Sequence, residues 1–269
     1  MARGVALVRR PSSRLDEGLV TYIERSRVDV ALAMRQHRAY GEALVRAGWQ
    51  LCEVAPIDEC PDGVFVEDTV VVCAGLAVLA RSGAPQRRAE VAGTEHAVRA
   101  LGLDVARIDA PGTLDGGDVL QIGHTVYVGR GSRTNGAGIK QLSRHLAGWG
   151  RTVVPVPLHN VLHLKSAVTA LPDATVLALP DLADTSVFPA VRLAEEEPGA
   201  HVVPLGDRLV LISASATRTI ERLDDLGFEP VVVDISEFEK LEGCVTCLSV
   251  LVPGRSEPDG DLELLDQLR

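Results

Sequence analysis

The chain has 269 residues, 46% of them hydrophobic, with 37 acidic against 27 basic side chains and a net charge of −10. That balance argues against nucleic acid, which demands basic patches. The longest apolar runs, such as Val245–Pro253, fall far short of the ~20 residues a membrane span needs. Five scattered cysteines, Cys52, Cys60, Cys73, Cys244 and Cys247, are an odd number and poor material for a disulfide framework. Met1–Arg10 carries no apolar leader with a cleavage site, so the expectation is a soluble, cytoplasmic protein able to bury one large core.

In chain order, GVALVRRP reads as a strand, VDVALAMRQHRAYGEALVRAG as a helix ending at glycine and QLCEVAP as a strand. A repeated grammar follows. Val64–Ala80 forms a strand pair, then RSGAPQRR, a helix over AEVAGTEHAVRALG and the strand DVARID. Thr113–Gly129 forms the next pair, then RGSRTN, the helix GAGIKQLSRHLAGWG and the strand RTVVPV. Val161–Pro180 is a third hairpin with a less clear helix, and Ala190–Gly199, with its EEEPG run, reads as a surface excursion. His201–Ser213 opens the fourth unit, completed by TIERLDDLG and EPVVVDI, and CVTCLSVLVP joins the chain start to close a fifth. Units recurring about every 45–50 residues suit a radial array. An ordinary α/β sandwich with coincidental spacing is the competing reading.

Sliding the units over one another aligns their unusual polar residues. Glu67 and Asp68 precede TVVV, Asp115 and Asp118 flank the start of VLQI, His163 and Lys165 precede SAVT, and Cys247 precedes LSVLV. In a radial array these positions point at one axis, so a cysteine, a histidine and several carboxylates would meet there. Cys247 alone is a small apolar residue, but a thiol beside a histidine can serve as a nucleophile, and His163 suits proton transfer near neutral pH. The C-x-x-C spacing of Cys244 and Cys247 lacks the further ligands of a zinc site. It also lies in a stretch that reads as strand, where residues three apart face opposite sides; redox motifs open a helix instead, and Cys244 is assigned a structural role. In DGGD the glycines allow close backbone approach to a ligand. Arg87 and Arg133, in equivalent polar stretches, could together clamp a carboxylate.

The stretches VFVEDTVVV, RSGAPQRR, LDGGDVL, SRTN, LHLKS and TCLSVL resemble those of dimethylarginine dimethylaminohydrolases, within the guanidino-group-modifying superfamily, over about Leu15 to Val252. The resemblance implies a five-unit α/β propeller with pseudo-fivefold symmetry, drawn here as one catalytic domain over 1–269. It implies Cys247 as nucleophile, His163 as acid/base and Asp115 as the carboxylate holding the guanidinium, with Asp68 a second and Glu67 beside it. Arg87 and Arg133 would take the substrate α-carboxylate. Asp62, with the backbone carbonyls of Leu19 and Leu241, would take the α-amino group, Leu19 lying on a mobile lid. Relatives often carry asparagine where this chain has His201, which bears on packing at the site.

The implied reaction is hydrolysis of N-omega-methylated arginines to citrulline and an amine, with a small cationic amino acid as partner and no metal or organic cofactor. Monomer and homodimer are both open. Arginine or agmatine deimination, amidino transfer and a non-catalytic methylarginine sensor are the alternatives. Arginine deiminases tend to carry aspartate two positions after the histidine, where this chain has Lys165, and agmatine would leave Arg87 and Arg133 without a carboxylate to bind.

Overall fold

The structure is a computed structural model, and it describes residues 3–254; residues 1–2 and 255–269 of the expected domain lie outside the described residues. Chain order begins with β1 (Gly4–Val8), α1 (Val30–Arg46) and β2 (Trp49–Glu53). Next come β3 (Val70–Cys73), β4 (Leu76–Leu79), α2 (Val91–Ala100) and β5 (Asp104–Arg107), then β6 (Val119–Ile122), β7 (Thr125–Arg130), α3 (Gly136–Ala147) and β8 (Thr152–Pro157). The third unit holds β9 (Val168–Ala170), β10 (Val176–Ala178) and β11 (Val191–Leu193). The fourth holds β12 (Val202–Pro204), β13 (Leu209–Ser213), α4 (Thr217–Asp225) and β14 (Glu229–Val233), before α5 (Ser236–Glu239) and β15 (Val250–Pro253).

These strands form five three-stranded sheets, each with the same grammar: an inner strand antiparallel to the middle one, which is parallel to the outer one. The parallel pair needs a crossover, which a helix supplies in four of the units. The fifth sheet joins β15 to β1 and β2, with Gly4 opposite Pro253 and Leu7 opposite Val250, so the two ends of the chain close the ring. The fold is the five-unit propeller. In the third unit only a single turn at Thr185–Val187 replaces the helix. There the expected surface excursion is corrected: Val191–Leu193 is the unit's outer strand, paired in parallel with β10. Its alternately exposed side chains, on so short a strand, make it read as loop.

Local chemistry accounts for the elements. Asp29 caps α1 by accepting the Leu32 N–H, and Asn135 caps α3 through Gly138. Buried Ala33, Gln36, Tyr40, Ala43 and Leu44 recur at helical spacing on one face of α1. Just beyond α1 and α4 the chain turns away at Gly48 and Gly227, with φ of +94° and +84°, where a side chain would be strained.

The core is divided. Among the described residues, buried apolar side chains form five clusters, each in the wedge between neighbouring sheets, rather than one central mass. Strand alternation does this: Val70 enters the wedge beside β15 while Val71 enters the wedge beside β6, and Leu7 faces opposite to Ala6 and Val8. Because both faces of each sheet are covered, the strands read as unbroken apolar runs. Among the described residues, no helix is long and apolar enough to cross a membrane.

Where the units meet at the axis, backbone approaches backbone. A Cβ on Gly116 would lie 2.0 Å from the Glu67 carbonyl oxygen, whereas one on Gly148 would meet nothing within 4 Å. Gly116→Ala is expected to lower the unfolding free energy by about 1–3 kcal/mol as an overpacked backbone contact, and Gly148→Ala by less than about 0.5. Urea titrations of the two variants against the parent check this; equal effects would refute the packing argument.

Candidate active site

Each inner strand is entered through one turn of 3-10 helix: Val66–Thr69, Gly116–Asp118, Leu164–Ser166, Glu197–Ala200 and Val245–Leu248. The first packs on the last and on Gly116–Asp118, which in turn packs on Leu164–Ser166. The aligned polar positions are therefore neighbours, although they sit on tight turns rather than strand starts. The glycines of DGGD serve this convergence: a Cβ on Gly117 would lie 2.7 Å from His163 Nδ1 and 2.8 Å from Asp68 Oδ1. They admit neighbouring protein groups, where the sequence suggested a ligand.

His163 is buried, its Nε2 3.2 Å from Asp115 Oδ2 and 3.8 Å from Asp68 Oδ1. Asp115 also accepts the Gly83 N–H at 3.0 Å and meets Arg133 at 3.4 Å. Asp68 accepts the Gly117 N–H at 3.0 Å and an Arg87 N–H at 2.6 Å. Asp118, also buried, accepts the Leu164 N–H at 2.9 Å and so fixes the histidine's turn. Burial favours the neutral forms, and it prevails for Asp118, pushed up to about 6, but the partners decide otherwise for Asp68 and His163. Against burial, His163 and Arg87 hold Asp68 well below the usual carboxylate range. Burial lowers His163, yet Asp68, Asp115 and Asp118 lift it to about 9. For Glu67 burial wins: despite Lys165 at 2.5 Å, its carboxyl is pushed up to about 7.

Cys247 is buried beside these carboxylates. Its turn is pinned from outside the ring, because Tyr40 of α1 donates to or accepts from Ser249 and reaches the Val245 carbonyl, both at 2.8 Å. Here the strand reading of the Cys244–Cys247 stretch is corrected. Val245–Leu248 is not strand: Cys244 stands at the N-cap of the turn, the Cys247 N–H donates to its carbonyl, and the two sulfurs lie 3.3 Å apart. A turn of three residues returns the chain to the same side, which a strand would not. The sulfurs share protons. With Cys247 donating to it, Cys244 ionises more easily than a free thiol, while that same bond, burial and the charges of Glu67 and Asp68 hold the Cys247 thiol up.

At the rim, the Leu19 N–H donates to both oxygens of Asp62, at 3.0 and 3.2 Å. Gly18 lies against both Asp62 and Leu241, since a Cβ there would stand 3.0 Å from the carboxylate and 3.2 Å from the leucine side chain. The three residues assigned to the α-amino group are thus brought together. Arg87 is wholly engaged, with Asp68, both oxygens of Glu90 and the carbonyls of Asp62 and Phe65. Sequence reasoning passed over Glu90, Tyr40 and Arg9; Arg9 is 1% exposed and ties Ala55, Gly63 and Glu90 together. Glu90, three residues beyond Arg87 in a helical stretch, is the one that spacing could have found. His201 is buried, with Nε2 3.0 Å from the Ser166 carbonyl oxygen. Asp68, Asp115 and His163 bring ligand atoms within 4.8 Å of one another and could hold a divalent ion, though Arg87 and Arg133 already supply positive charge to the same carboxylates.

A ring of five sheets closing on a buried cysteine, a histidine and paired carboxylates defines a propeller with a cysteine–histidine centre. The family model described as arginine deiminase matches residues 14–204. An N(G),N(G)-dimethylarginine dimethylaminohydrolase of Streptomyces coelicolor is 60% identical over 91% of this chain and 95% of its own length, and one of Pseudomonas aeruginosa is 34% identical over 91% and 97%. The crystal structure of a cysteine-to-serine variant of the Pseudomonas aeruginosa enzyme with citrulline superposes with a TM-score of 0.86 at 31% identity, covering 94% of this chain and all of that one. The chain belongs to the dimethylarginine dimethylaminohydrolases, within the arginine deiminase family.

His163, lifted from 6.5 to about 9, gives a signed prediction. A raised pKa contributes stability that is fully present below about 6.5 and is lost as pH rises through about 9. The His163 ring protons should titrate near 9 by NMR, and Asp115→Asn should move the transition toward 6.5. Titration of the parent at the ordinary value would refute the ion-pair description.

Proposed function

We infer that this chain hydrolyses N-omega-methylated arginines, releasing citrulline and methylamine or dimethylamine. The observation that carries the reading is the convergence of Cys247 with His163, Asp68 and Asp115 on one buried axis. A guanidinium is delocalised and poorly electrophilic, so it must be fixed in plane before a nucleophile can attack. Asp68 and Asp115, with Glu67 beside them, hold it, and that positioning supplies much of the catalysis. The bond to Cys244, burial and the carboxylates keep the Cys247 thiol protonated, and the positive charge of the guanidinium offsets the last two.

The Cys247 thiolate attacks the central carbon, forming a carbon–sulfur bond, and His163 as imidazolium protonates the departing amine. A covalent thiouronium remains on sulfur. Water then attacks the same carbon, losing a proton to His163, and the carbon–sulfur bond breaks to release citrulline. None of these steps calls for a metal or organic cofactor. Asp62, with the carbonyls of Leu19 and Leu241, takes the α-amino group. Arg133 takes the α-carboxylate, being the freer of the two arginines because its contact to Asp115 is long, while Arg87 stays in its internal pairs with Asp68 and Glu90. Lys165 lies 2.5 Å from Glu67, so the position two after the histidine offers no carboxylate to an unsubstituted guanidino nitrogen, in favour of a methylated one.

Cys247→Ser should reduce citrulline formation from asymmetric dimethylarginine by roughly a thousandfold or more while leaving substrate binding nearly intact. Turnover within tenfold of the parent would refute the nucleophile, as would faster parental turnover of arginine for the substrate class. Arg133→Ala should cost about 2–4 kcal/mol in kcat/KM with dimethylarginine and much less with its decarboxylated analogue. A cycle of protein change against ligand change isolates that coupling; equal losses on both ligands would make Arg133 structural.

A further inference from the structure

We propose that Cys244 and Cys247 form a reversible thiol-oxidation site, in which a disulfide between them takes the nucleophile out of service and a dithiol reductant restores it. This rests on the reading of Cys247 as nucleophile. The two sulfurs are already 3.3 Å apart, so closing to a bond of about 2.05 Å needs a shift of little more than an ångström. The turn itself holds them in reach: Cys244 occupies its N-cap and its carbonyl accepts the Cys247 N–H at 3.1 Å. On either side the backbone is confined. Tyr40 holds Val245 and Ser249, and a Cβ on Gly243 would stand 2.4 Å from the Phe65 ring. A C-x-x-C pair opening a helical turn is the arrangement in which vicinal thiols exchange with disulfides. Nor does burial protect the pair, because any path that brings a guanidinium to Cys247 admits a molecule as small as hydrogen peroxide.

The chemistry balances with peroxide as oxidant. A thiolate of the pair attacks one peroxide oxygen, the O–O bond breaks, and a sulfenic acid and hydroxide result. The neighbouring thiol then displaces oxygen from the sulfenic sulfur, forming the S–S bond and releasing water. Two electrons pass from the two sulfurs to the peroxide. An external dithiol reverses the step by exchange. Cys244 thereby protects Cys247 from sulfinic acid, which is not reducible by thiols.

Trypsin should release Leu241–Arg255, which contains Cys244 and Cys247 and no other cysteine. After peroxide treatment of the full chain and alkylation, that peptide should be unalkylated and about 2 Da lighter than its dithiol form. Turnover of dimethylarginine should fall in step and return to at least about 80% with dithiothreitol. In Cys244→Ser the loss should be mostly permanent, with two added oxygens on Cys247. Inactivation of the parent with Cys244 alkylated and Cys247 carrying oxygen would overturn the proposal, and this readout needs no variant. A bridged peptide from protein with full turnover would overturn it through the nucleophile assignment instead.

Discussion

Asp68 sits at the centre of the ring, 4% exposed, with Arg87, the Gly117 N–H and His163 around it. An isolated carboxylate so placed would cost several kcal/mol, and the surrounding structure exists in part to prevent that. Arg87 is itself held by Glu90 and two carbonyls, and His163 by Asp115. Removing one member leaves another charge buried without a partner, so the network stands or falls as a unit.

Its second task is to stitch the propeller. Five sheets with apolar wedges between them leave an axis lined by turns, and turns carry unpaired backbone N–H groups. Four carboxylates meet such groups on other segments of the chain: Asp62 at Leu19, Asp68 at Gly117, Asp115 at Gly83 and Asp118 at Leu164. Three of these four, Asp62, Asp68 and Asp115, are also those proposed to hold the cationic groups of the substrate. This explains why the centre of a chain that is 46% hydrophobic is charged.

Much of this arrangement was legible beforehand. Unbroken apolar strands, helices ending in glycine and polar residues recurring at one place per unit were enough to align Asp68, Asp115, His163 and Cys247. The third unit blurred because its crossover is a single turn and β11 is only three residues long. The strand reading around Cys244 failed for a different reason: VTCLSVLV has the composition of a strand, and only packing against Tyr40 and Phe65 shows its first residues as a turn.

The sequence by itself determined the five-unit repeat, the closing of the ring by both chain ends and the types of side chain at the axis. Those follow from local periodicity and from identities that any fold must accommodate. Tertiary structure decided which carboxylate stays ionised, that His163 is held as a cation, that Arg87 is spent on internal pairing and that two sulfurs meet. The charge states depend on burial and on partners tens of residues away in the chain, such as Asp68 with Gly117 and Asp115 with His163, and the meeting of the sulfurs on distant packing that makes their stretch a turn. No local pattern encodes the distances on which such electrostatic balances turn.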